Sequence, residues 1–61
     1  MTPTIRTALK TVAREYAAGQ HYHIEYHHAG RTLRPMATVE RHGDRQYQTF
    51  ALIGGAWVAW G

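Results

Sequence analysis

At Gly19 the hydrophobic period of this chain changes, and the change limits what it can fold into. Before Gly19, apolar residues recur at Ile5, Leu9, Val12 and Tyr16, with Ala8 and Ala13 beside them, which is the stripe of an amphipathic helix. Thr2 followed by Pro3 reads as an N-cap with proline at the first helical position, where a missing N–H costs nothing. Gly19 supplies a C′ stop. The spacing predicts one helix over residues 3–18.

From His21 the period is two. Tyr22, Ile24 and Tyr26 point one way, and His21, His23, Glu25 and His27 the other. Ala29-Gly30-Arg31 begins a turn, and Pro35 leads into a second extended run, Met36 to His42. Gly43-Asp44 fits a tight hairpin loop, with Arg45 to Ile53 returning antiparallel. Gly54-Gly55 is a second two-residue hairpin signal before a short last strand, Ala56 to Trp60. The expected architecture is α+β: a single domain over 1–61, with one N-terminal helix packed on a small antiparallel sheet of three strands and a short fourth.

A 61-residue chain buries only about 60% of the surface its unfolded form exposes. There is no cysteine, so disulfides and thiolate zinc sites are excluded and the fold stands on packing alone or on self-association. The longest apolar run, Ala51 to Trp60, is interrupted by two glycines and falls far short of the roughly 20 residues that span a bilayer. The N-terminal stretch lacks the pattern of a secretion signal, so a cytoplasmic protein is expected.

The formal charge of +3 gives a mild attraction to phosphate or acidic proteins, without the dense basic cluster of a dedicated nucleic-acid binder. Arg6, Lys10 and Arg14 nevertheless recur at i, i+4 and i+8, on one helix face opposite the apolar stripe. Such a row can contact a phosphate backbone, and a helix on a small sheet resembles the double-stranded RNA-binding fold in outline. Equally, an exposed helix face needs charge simply to stay solvated.

The segment HYHIEYHH, residues 21–28, holds the densest chemistry in the chain. Residues i and i+2 on a strand lie roughly 7 Å apart on one face, so His21 with His23, or His23 with His27 and Glu25 between, can converge on a cation. His42 alone is available from elsewhere. No ligand set of specific spacing spans two strands, and the stripe reads first as the solvated half of a strand. No metal and no cofactor are expected. Histidines beside Arg31, Arg34 or Arg41 also have the chemistry of a small ribonuclease. No nucleophile, base and orienting group can be assembled from the sequence, and a non-enzymatic protein is expected.

The C-terminal FALIGGAWVAW is more informative. With a two-residue loop at Gly54-Gly55, Phe50, Leu52, Trp57 and Ala59 share one face, and Ala51, Ile53, Val58 and Trp60 the other. Both faces are apolar, and one helix covers only one of them. Three outcomes are open: the strand bends and buries both tryptophans, the last strand forms a homodimer as a sheet edge, or the patch docks on another protein.

In size, in its helix-plus-meander plan and in the aromatic-ending strand TFALIGGAWVAW, the chain resembles the very small proteins with which phages and other mobile elements block host machinery, including anti-CRISPR proteins. That resemblance implies stoichiometric, steric inhibition of a host protein or ribonucleoprotein complex. The contacting residues would be His21, His23, His27, Arg31, Arg34 and Tyr47, with Trp57 or Trp60 as anchor. The alternative is a small basic nucleic-acid-binding module using Arg6, Lys10 and Arg14.

Overall fold

The computed structural model describes residues 5–27 and 34–61. Helix α1 (Ile5–Ala17) is followed by strands β1 (Tyr22–His27), β2 (Met36–Arg41), β3 (Tyr47–Ile53) and β4 (Ala56–Trp60). The strands form one antiparallel sheet in the order β1-β2-β3-β4, with the helix packed on one face. The α+β architecture expected from the sequence is present, including the short fourth strand. The N-cap at Thr2-Pro3, the turn at Ala29-Gly30-Arg31 and Arg31 itself lie outside the described residues.

The apolar stripe of the helix supplies half the core. Leu9 and Ala13 are fully buried against Ala37, Val39, Phe50 and Trp57, with Val12, Tyr16, Tyr22, Ile24 and Leu52 packed around them. The Tyr16 and Phe50 rings meet edge to face, with centroids 6.1 Å apart. The Trp57 indole N–H donates to the Ile5 carbonyl at 3.0 Å, joining the last strand to the first turn of the helix.

The helix ends one residue earlier than Gly19 alone predicts, because Ala18 already has a left-handed φ of 52°. The Ala18 amide still bonds to Arg14 and the Gln20 amide to Ala17, which satisfies two of the last helical carbonyls. A third, that of Tyr16, accepts from Arg41 Nη1 at 3.1 Å. The same guanidinium lies 4.5 Å from the centroid of the Tyr16 ring and pairs with Asp44 at 2.8 Å. A cation at this end of a helix is favoured by the macrodipole.

The β2–β3 connection is wider than the tight loop expected at Gly43-Asp44. Five residues, 42–46, separate the strands, and Arg45 adopts a left-handed φ of 59°. Side chains build this loop: Asp44 accepts from Arg41 Nε at 3.1 Å and from the Gln46 amide at 3.2 Å, while its own amide donates to Gln20 Oε1. Gly43 leaves room for the Gln20 carboxamide, which a Cβ at that position would push aside. The β3–β4 loop is the expected two-residue hairpin, with Gly54 and Gly55 at φ 61° and 82°, a pair of values that side chains oppose.

Two outcomes test this packing. Leu9→Ala removes the largest fully buried side chain of the helix and costs about 2–5 kcal/mol. A chain of this size has only about 3–5 kcal/mol in total, so denaturant titration should find most of the fold lost. The second concerns acid. Desolvation raises the Asp44 carboxyl, but the Gln46 amide, the Arg41 hydrogen bond and charge, and Gln20 outweigh it and hold the group below its ordinary value of 3.8. A carboxyl held low contributes stability above that ordinary value and loses it as pH falls through the folded value. Thermal melts below about pH 4 should therefore show the native chain losing stability that Asp44→Asn does not lose.

Candidate functional site on the open face of the sheet

Pleating sends alternate residues of each strand away from the helix, and the register determines which of them meet. His23 pairs with Glu40, and Glu40 with Tyr47. Glu25, Thr38, Thr49 and Trp60 form a second row across all four strands. His27, Met36, Ala51 and Val58 form a third, and Ile53 pairs with Ala56 beyond it. The β1–β2 half of this open face is therefore polar and rich in histidine. The β3–β4 half is mostly apolar, with Tyr47 and Trp60 bringing aromatic rings.

The tryptophans divide between the faces. Trp57 is 8% exposed in the core, and Trp60 is 45% exposed on the open side, beside the exposed Val58 and Ile53. The bend that would bury both tryptophans does not occur, and of the two candidate anchors Trp60 is the exposed one. The Arg34 guanidinium lies 5.3 Å from the centroid of the Trp60 indole, so the cation and the anchor named from sequence stand together. Tyr47 is 68% exposed. β4 is an edge of the sheet, as the dimer reading requires.

The histidines separate more than their stripe implied. His27 Nε2 is 2.8 Å from Thr38 Oγ1, which in turn is 3.1 Å from Thr49 Oγ1, so this ring ends a short hydroxyl chain. His21 contributes its carbonyl, which accepts from the His42 amide at 2.7 Å, while its side chain is exposed. His23 turns to the neighbouring strand: its Nδ1 is 2.7 Å from His42 Nε2 and 3.6 Å from Glu40 Oε1. The His23 and His42 rings are tilted by 43°, with centroids 5.0 Å apart. The short N···N approach is a hydrogen bond between one N–H and one lone pair.

The sequence offers His42 as the one further histidine for a cation site on the stripe, but does not show that it meets His23, and it gives Glu40 no part in such a site. The detectable signal was the i, i+2 pair Glu40-x-His42 on a strand facing the histidine stripe; the offset between the strands was the missing quantity. Arg41, one of the candidate phosphate-neutralising arginines, is committed to the helix end and to Asp44. On the opposite side of the molecule Arg6, Lys10 and Arg14 are all exposed on α1, with the Arg6 guanidinium 5.3 Å from the centroid of the Tyr26 ring.

No helix among the described residues is long and apolar enough to cross a membrane. No protein-family model, curated protein or solved structure matches the chain.

Fluorescence provides a check on the division of the tryptophans. Iodide should quench the emission of Trp57→Phe, which keeps Trp60, far more than that of Trp60→Phe, which keeps Trp57. The reverse order would invert the two faces of β4.

Proposed function

We propose that this chain is a small non-enzymatic binding protein that docks through the open sheet face on a host protein or ribonucleoprotein complex and blocks it by occupancy. The observation that carries this reading is the exposure of Trp60 beside Val58 and Ile53, on a face that the single helix does not cover. Tryptophan, tyrosine and arginine are the residue types that dominate interface energetics, and Trp60, Tyr47 and Arg34 occur together here. The polar half of the same face, with His23 and His27, suits a partner whose apolar pocket is rimmed by acidic groups, in keeping with the chain's formal charge of +3. This mode of action is also what the likeness to phage and mobile-element inhibitors of the anti-CRISPR type implies.

The nucleic-acid reading rests on a different surface. Arg6, Lys10 and Arg14 lie on the exposed side of α1, with the sheet between them and Trp60. The two readings are therefore separable by substitution.

Affinity capture from a bacterial lysate on the immobilised chain, with and without nuclease, tests them together. A discrete protein complex should survive nuclease, and Trp60→Ala should weaken its binding by about 2 kcal/mol or more. Replacing Arg6, Lys10 and Arg14 together should leave that binding intact. If the captured material is nucleic acid, is lost on raising salt and is indifferent to Trp60, the helix row is the site instead. A mass by light scattering that doubles with concentration, and no longer does so in Trp60→Ala, would assign the face to a second copy of the chain.

A further inference from the structure

We propose that His23, Glu40 and His42 form a binding site for one divalent transition-metal ion of the zinc class, with a fourth coordination position open to solvent above the sheet. The three side chains each bring a donor atom within 4.8 Å of the others. Two imidazoles and one carboxylate suit zinc and its first-row neighbours. Calcium and magnesium favour larger, all-oxygen sets and are disfavoured here.

The spacing is close to what coordination requires. Bonds of about 2.0–2.1 Å in tetrahedral geometry separate neighbouring ligand atoms by about 3.3 Å. His23 Nδ1 and Glu40 Oε1 are 3.6 Å apart, and the two imidazole nitrogens need only open from 2.7 Å. Small side-chain rotations supply that change, because both rings are exposed.

The backbone already holds the ligands in place. His23 and Glu40 are direct antiparallel partners, and His42 follows Glu40 by two residues, bringing all three to the same face. His42 is anchored through its amide to the His21 carbonyl at 2.7 Å. The loop after it is fixed by the pairing of Arg41 with Asp44 and by Gln20. An ion bound here ties the edge strand β1 to the end of β2 and stabilises the folded chain by mass action. In a cysteine-free domain of this size it takes the place of a covalent staple. The site stands apart from the apolar patch around Trp60, so it can be read on the isolated chain without any partner.

The test is zinc titration by calorimetry on metal-stripped protein carrying no histidine tag, with circular dichroism to confirm that each variant is folded. One zinc per chain should bind saturably and raise the thermal midpoint. His42→Ala should abolish the uptake, and Glu40→Gln, which keeps the shape of the side chain, should weaken it by about tenfold or more. His27→Ala, whose ring pairs with Thr38 outside the cluster, should leave it unchanged. Cobalt should give the intense visible absorption of a tetrahedral site in the native chain and in His27→Ala, and not in His42→Ala. Absence of saturable uptake, half an equivalent shared between two chains, or uptake indifferent to Glu40→Gln and His42→Ala would each overturn the site. Should His42→Ala fail to fold, Glu40→Gln and cobalt absorption decide the matter alone.

Discussion

The Arg41 guanidinium donates to the Tyr16 carbonyl, lies over the Tyr16 ring and grips both carboxylate oxygens of Asp44. It thereby does three jobs at once. It satisfies a helical carbonyl that has no partner within its own helix, it places positive charge where the helix dipole favours it, and it fixes the loop between β2 and β3. A helix ending in this way is held at a set distance from the sheet. A loop fixed in this way presents His42 toward β1. The histidine cluster on the open face thus depends on a contact made largely on the other side of the sheet.

Shortage of cover shapes everything else. One helix of 13 residues meets a four-stranded sheet whose last hairpin is apolar on both faces. Trp57 takes the covered side and bonds to the helix, which leaves Trp60, Val58 and Ile53 outside. With a shortest dimension of only 16 Å, the molecule has no depth in which to hide a second apolar layer. The basic helix row and the aromatic patch are consequently separated by the thickness of the protein, and one partner is not expected to engage both.

The sequence made the elements legible because period is a local property. The stripe Ile5, Leu9, Val12 and the alternation Tyr22, Ile24, Tyr26 needed no knowledge of neighbours. Gly54-Gly55 was equally plain, since few other pairs tolerate two left-handed residues in succession. The width of the β2–β3 loop is not legible for the opposite reason: its shape is set by Gln20 and Arg41, side chains outside the loop. The tryptophans could be assigned to opposite faces of β4, but which face the helix takes is settled by the whole sheet. The histidine cluster was hidden by register. Along a strand, His23 and its like-facing neighbours are about 7 Å apart, whereas directly opposed residues on adjacent antiparallel strands are closer, about 5 Å. The sequence displays the first spacing and conceals the second.

The hydrogen bond from Trp57 to Ile5 joins residues 52 positions apart. During synthesis α1 leaves the ribosome well before the strand that holds its first turn, and a helix of 13 residues is marginal in water by itself. Leu9 and Ala13 gain their full cover only when Trp57 of β4 joins Ala37, Val39 and Phe50 over them. A fold closed by contacts this far apart in sequence relies on non-local pairing, and such pairing is the slow part of folding.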